Sequence, residues 1–246
     1  MLVLLLISQT AISSTTGSEE ARTVIVLLDV TQSFTFKDPA VEQMKAVIQR
    51  LGPGDEFLLI EIGPPPFRPD KKVRMQATMP SVPGGVVVPS KNIHEYKRRQ
   101  RALDSIWAKV RGQQKLMLAF LEQPIAFQRG GTELYAALEY ASQRLMAKKN
   151  RQKVLIIYSD LVQDLGVATT EPPKKGLAGF DQTQVSVWFV PWESQAAFTD
   201  TDQKWRAYFK ACHVQSFTMY EPAESKTQTP LSFSRIPTKL PSPFED

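Results

Sequence analysis

A single cysteine, Cys212, and two histidines, His94 and His213, occur among the 246 residues. One cysteine cannot close an internal disulfide or build a CxxC zinc module. Two histidines exclude a histidine-rich metal centre. After Leu2–Ile7, no segment approaches the roughly 20 apolar residues that a membrane helix needs. Acidic residues are scarce in one block. Between Gly63 and Lys115, twelve basic residues stand against three acidic ones, so this block outweighs the net charge of +5 of the whole chain. What is present is ordinary for a globular protein, with 42% hydrophobic and 22% charged residues, which excludes disorder throughout.

The first twenty residues support two readings. Leu2–Ile7 is an unbroken apolar run, and Ala11 and Ser13 follow with the spacing of a small-residue cleavage site. That pattern resembles the end of a secretory signal, although no basic segment precedes the run. The other reading is a disordered cytoplasmic tail. The balance falls slightly toward export, and a lone cysteine fits either compartment.

Along the chain, apolar runs alternate with helical patterns. RTVIVLLDV (22–30) and EFLLIEIG (56–63) read as strands buried on both faces, as in a parallel sheet. Between them Asp38-Pro39 offers a helix cap and first residue. Val41, Met44, Val47, Ile48 and Leu51 then recur at helical spacing. Residues 64–91 carry seven prolines, with an alternating edge-strand pattern at Val73, Met75, Ala77 and Met79. A long helix is expected over about 92–123, bent or divided at Gly112. Further elements are a helix within 129–146, strands at 153–160 and 184–192, a helix at 201–214 and a short strand at 214–220. Residues 165–182 read as a loop. From Glu221 the composition turns to Pro, Ser, Thr and Lys, which reads as a tail without a core of its own. The expected organisation is a signal-like or disordered segment over 1–20, a domain over 21–220 with a Pro-rich basic insertion at about 63–115, and a disordered 221–246 tail. The fold class is α/β, a doubly wound, mostly parallel central sheet flanked by helices, with one antiparallel edge strand.

Ligands of such sheets bind at the carboxyl ends of the strands. Three clusters stand there: Asp29-Val30-Thr31-Gln32-Ser33, Gly130-Gly131-Thr132 and Ser159-Asp160. They offer carboxylates and hydroxyls without His or Cys. Such hard oxygen donors suit Mg²⁺ or Mn²⁺. The i, i+2, i+4 spacing at 29–33 lets one turning loop aim three side chains at a point. The paired glycines allow close backbone approach.

LLDVTQS, GGTELYAAL and IIYSD together resemble the von Willebrand factor A domain with its metal-ion-dependent adhesion site. The resemblance covers about 22–220. It implies a Rossmann-like three-layer sandwich with a metal at its top. Residue by residue, it implies Asp29, Thr31, Ser33, Thr132 and Asp160 as the metal shell. Thr31 replaces a serine of the family pattern and keeps the hydroxyl, and Leu161 stands where many members have glycine. The resemblance also implies a non-catalytic module whose bound ion takes a carboxylate from a partner protein.

Other groups read more plainly. Asp164 reads as a solvated loop carboxylate, the two histidines as surface or structural residues, and Cys212 as a small buried filler. Trp107, Trp188, Trp192 and Trp205 sit in apolar patterns. Lys97, Arg98, Arg99 and Arg101 are candidates for an anionic partner, including nucleic acid, or are a solvated helix face. Only Tyr96 and Trp107 lie nearby, so a stacking platform for single strands is not expected. A magnesium phosphohydrolase is a further alternative. It would need a second carboxylate where Thr31 stands.

Overall fold

The computed structural model describes residues 21–82, 92–126, 128–148, 151–164, 168–191, 194–232 and 238–240. The first twenty residues, the end of the proline-rich loop, Trp192 and the last six residues lie outside them. The chain forms β1 (Arg22–Asp29), α1 (Lys37–Gln49), β2 (Glu56–Ile62), α2 (Pro69–Lys72), β3 (Val73–Thr78) and α3 (Ile93–Leu121). Next come α4 (Leu134–Met146), β4 (Gln152–Tyr158), β5 (Gln163–Asp164), β6 (Ala168–Thr169) and β7 (Thr183–Trp188). The described chain ends with α5 (Gln195–Ala211), β8 (Ser216–Met219) and α6 (Pro222–Ser225).

Six strands form one sheet in the order β3-β2-β1-β4-β7-β8. All neighbours are parallel except β3, which runs antiparallel to β2 at the edge. The continuous apolar run of β1 is explained by its two buried faces. Val24, Val26 and Leu28 pack toward α1 and α3, through Met44, Val47, Val110 and Met117. Ile25 and Leu27 pack toward α4 and α5, through Leu138, Ala141, Trp205 and Phe209. The layers are helix, sheet, helix.

From β1 the chain steps outward to β2 and β3, then crosses back to β4 and continues the other way. The order therefore reverses between β1 and β4. The crevice at the carboxyl ends of these two strands is the switch point where open α/β sheets place their ligands. Asp29 ends β1, and Asp160 follows β4 by two residues.

Several local expectations are corrected. Asp38 lies inside the first turn of α1, where its charge complements the helix dipole; Phe36 occupies the cap without a side-chain bond. Gly112 neither divides nor ends α3, which is one helix of 29 residues capped by the Asn92 side chain. α5 starts at Gln195, ahead of the expected 201, because the Ser194 hydroxyl accepts the Ala197 N–H. Within 165–182, Ala168 and Thr169 pair with Asp164 and Gln163.

The basic segment 63–115 is not an appendage. β3 edges the main sheet, and Ile106, Val110, Met117 and Leu121 of α3 join the core. The segment after Glu221 is also not free along its described length. It forms α6, buries Leu231 in the core and packs Leu240 against Leu103. The Ser232 and Leu231 carbonyls accept hydrogen bonds from Arg22 and Arg50. Isolated leucines in a polar tail find a pre-existing apolar face, which composition does not reveal.

Candidate metal site

The β1 loop is held against the segment before α4. The Gln128 N–H donates to the Val30 carbonyl at 3.0 Å, and Thr31 bridges to Gln128. The next residues turn through Gly130 at φ +123°, a conformation that glycine tolerates. Gly131 then passes so close to Asp164 that a Cβ would sit 1.8 Å from its carbonyl oxygen. The Asp164 N–H in turn donates to the Thr132 carbonyl at 3.0 Å. The two glycines thus let Thr132 reach the β1 loop. Asp164 is half-buried and works through its backbone, so it is not the solvated loop residue expected.

The five residues singled out in the sequence meet in one hydrogen-bonded network. The Thr31 hydroxyl donates to Asp29 Oδ1 at 2.6 Å, and the Thr31 N–H donates to the same oxygen at 2.9 Å. The Thr132 hydroxyl donates to Thr31 Oγ1 at 3.2 Å, and the Ser33 hydroxyl lies 3.0 Å from Thr31 Oγ1. Ser33 also bonds Asp160, closing the network to the second carboxylate. Asp29, Thr31, Thr132 and Asp160 are buried, while Ser33 is exposed at the rim.

Two further residues take part: Ser159, named in the third cluster but not in the expected metal shell, and Lys37, which was not anticipated. Ser159 donates to Asp29 Oδ2 at 2.9 Å and accepts the Leu161 N–H at 3.0 Å. Its place beside Asp160 at a strand end was the available signal. Lys37 is only 7% exposed, and its charge acts on both Asp29 and Asp160. A lysine opening a helix reads as surface, so nothing local marked it.

Leu161 sits at φ +60°, in the left-handed region that favours glycine. Its side chain is fully buried in the lower core, which offsets the backbone cost. The loop after Asp160 is therefore pinned. The Asp160 carboxylate accepts the Val162 N–H at 3.0 Å.

Electrostatically, the site is short of positive charge. Burial pushes the Asp29 carboxyl up to about 6, aided by the nearby Asp160, and the hydroxyl and amide donors only partly oppose this. Burial also raises Asp160. For Lys37, burial lowers the pKa against the pull of the two carboxylates. Two buried acids that resist ionisation, set among hydroxyls, are suited to a hard cation. Among the described residues no three His, Cys, Asp or Glu side chains cluster, so any ion here would rest on two carboxylates supplemented by hydroxyls.

The other candidates lie apart. Lys97, Arg98 and Arg101 are exposed on α3, and Arg99 is ion-paired with Glu95. From Arg101 to the end of α3 at Leu121 is about 30 Å of helix. His94 and His213 are exposed. Cys212 is buried, with its sulfur accepting the Leu177 N–H. Trp188 and Trp205 are core residues, and Trp107 is partly buried against the core. No described helix is long and apolar enough to cross a membrane.

No protein-family profile and no curated protein sequence matches the chain. Solved structures do resemble it at low identity. The pilus adhesin SpaC from Lactobacillus rhamnosus GG aligns over 85% of this chain and 28% of its own, at 13% identity and a TM-score of 0.44. A von Willebrand factor type A structure from Catenulispora acidiphila covers 85% and 41%, at 15% identity and 0.42. Proximal thread matrix protein 1 from the mussel byssus, with a zinc-occupied MIDAS motif, covers 83% and 42%, at 8% identity and 0.40. The chain spans less than half of each of these proteins. Their TM-scores stay below 0.5, and the fold is read from this chain's own sheet. The chain's own sheet, mostly parallel with one antiparallel edge strand between two helical layers, is a doubly wound α/β fold with its strand-end clusters at the switch point.

Proposed function

We propose that the chain is a non-catalytic binding module. It holds a divalent cation through Asp29, Thr31, Ser33, Thr132 and Asp160, and the cation recruits an acidic group of a partner protein. The observation that carries this reading is Asp29. Its carboxylate is fully buried, opposed by Asp160 and pushed to about 6, yet it is met mainly by hydroxyls. The oxygen-only donor set favours Mg²⁺ or Mn²⁺ over softer-ligand metals. When bound, the ion supplies an open position for an incoming carboxylate. The chain's own residues do the positioning. Ser159 and Thr31 fix the Asp29 oxygens, and the Gly130-Gly131 turn presents Thr132. A phosphohydrolase is less well supported, because Thr31 supplies a hydroxyl already donated to Asp29 in place of a second carboxylate. An extracytoplasmic setting fits the apolar N-terminal run.

A titration of Mg²⁺ or Mn²⁺ into the full chain, followed by calorimetry, tests this reading. One site per chain is expected. Thr132→Val is expected to weaken it about ten-fold, the loss of roughly one hydrogen-bond-sized contribution. Saturable binding that ignores Thr132, or no binding by either ion, contradicts it.

The exposed Lys97, Arg98 and Arg101 favour a second reading, a face for an anionic partner such as nucleic acid. None of the three makes an ion pair with a described residue. Binding to DNA or RNA that falls steeply with salt would support it.

A further inference from the structure

The solvent face of α3 carries a charge pattern that the candidate metal site does not use. Leu103, Ile106, Val110, Gln114, Met117 and Leu121 form the buried stripe of this helix. Six exposed cations project from the half turned away from that stripe. They fall into two groups, Lys97, Arg98 and Arg101 in one and Lys109, Arg111 and Lys115 in the other. At 1.5 Å per residue the group centres stand about 20 Å apart along the axis. Lys97 and Lys115 are separated by five whole turns, and Arg98 and Lys109 by close to three, so the groups share one face. None of these cations makes an ion pair with a described residue, whereas Arg99 is held by Glu95. Between the groups, Ala102, Ser105 and Ala108 are small and exposed. Asp104 is also exposed there, its carboxylate accepting Gln100 Nε2 at 2.8 Å.

This interruption selects among anionic partners. An anionic lipid surface presents charge continuously and would meet the Asp104 carboxylate as well as the cations. Single strands bind on aromatic platforms. The aromatic residues nearest the first group are engaged elsewhere: the Tyr96 hydroxyl donates to the Leu240 carbonyl at 3.2 Å, and Trp107 packs against the core. A DNA duplex instead presents two rows of phosphates separated by a groove. The major groove of B-form DNA is about 12 Å wide and admits an α-helix, whereas that of A-form RNA is deep and narrow. Long cationic side chains in two groups about 20 Å apart reach the backbones on either side of such a groove. The small residues then lie over the groove, where they permit close approach.

We propose that α3 is a docking face for B-form DNA, crossing the major groove with one cation group on each flanking backbone. This rests on the anionic-partner reading given under Proposed function, and adds Lys109, Arg111 and Lys115 to it. It is independent of the metal-dependent reading.

The test uses the full chain in EDTA, which keeps divalent cations off both the protein and the phosphates. Fluorescence anisotropy follows binding to a labelled DNA duplex of mixed sequence and to its single strand, beside co-sedimentation with vesicles of phosphatidylglycerol and phosphatidylcholine. The duplex is expected to bind most tightly. Its affinity is expected to fall about 10³-fold between 50 and 200 mM salt, the dependence of about six phosphate contacts. Two triple variants are compared, Lys97→Gln with Arg98→Gln and Arg101→Gln, and Lys109→Gln with Arg111→Gln and Lys115→Gln. Each is expected to weaken duplex binding at least about ten-fold at 50 mM salt and to halve the slope of log affinity against log salt. Because all six side chains are exposed, both variants are expected to melt like the wild type. A duplex affinity and slope unchanged in the second variant, or tighter binding to the single strand or the vesicles, would overturn the groove-crossing face while leaving an anionic face at Lys97, Arg98 and Arg101. Absence of salt-dependent binding to duplex, single strand and vesicles alike would overturn both.

Discussion

The two ends of β1 hold buried aspartates in opposite circumstances. At the amino end, Asp55 accepts the Arg22 N–H at 2.8 Å, Arg22 Nε at 3.0 Å, Arg22 Nη2 at 2.6 Å and the Gly52 N–H at 2.8 Å. It is closed by the protein's own guanidinium, itself only 3% exposed. At the carboxyl end, Asp29 receives two hydroxyls and one amide, and faces Asp160. One carboxylate is complete within the fold. The other is met by neutral donors and opposed by a second carboxylate, the arrangement on which the proposed cation site rests.

Breaking the closed end gives the largest expected effect. Asp55→Ala strands Arg22 in the interior and is expected to cost about 3–5 kcal/mol. The loss should be the same in EDTA and in Mg²⁺ when measured by denaturant unfolding, because the sites lie at opposite ends of the strand.

The open end should respond to pH. The folded Asp29 carboxyl, at about 6, lies above its ordinary value of 3.8. Between these values the unfolded chain releases its proton while the folded chain keeps it. The metal-free fold is therefore expected to lose up to about 3 kcal/mol as pH rises from about 4 to above 6. Below pH 4 both states are protonated and the difference vanishes. Asp29→Asn should flatten this slope and be more stable than the wild type in EDTA at pH 7. Unfolding titrations across that window check both points.

A smaller effect is expected at the turn. In Gly131→Ala, the new methyl meets the Asp164 carbonyl at 1.8 Å, so the loop must shift. A loss of about 1–3 kcal/mol is expected, with weakened metal response because Thr132 moves too. Smallest of all is the exposed cluster. Arg98→Ser with Arg101→Ser should stay within about 0.5 kcal/mol by thermal melting.

The same comparison shows what was legible in the sequence. The strands were legible because β1, β2 and β4 are buried on both faces, and burial on both faces leaves uninterrupted apolar runs. That Asp29, Thr31, Ser33, Thr132 and Asp160 come together was legible, because each is a polar residue at a strand end or turn on the same edge of the sheet. Lys37 was not, since its burial arises only when α1 docks beside the β1 loop. The pairing of Arg22 with Asp55 was equally hidden, 33 residues apart in sequence. The docking of Leu231 and Leu240 depends on faces built by distant helices. Position within a pattern was readable, and partners brought together by packing were not.

The most direct test of the central claim is a thermal melt of the full chain at pH 7, in EDTA and then in Mg²⁺, beside Asp29→Asn. At about 100 times its dissociation constant the ion should add about 2.7 kcal/mol, a rise of a few degrees in the wild type. The account predicts that rise in the wild type and its loss in Asp29→Asn. Equal melting in EDTA and Mg²⁺ for the wild type, or the same rise in both proteins, would contradict it.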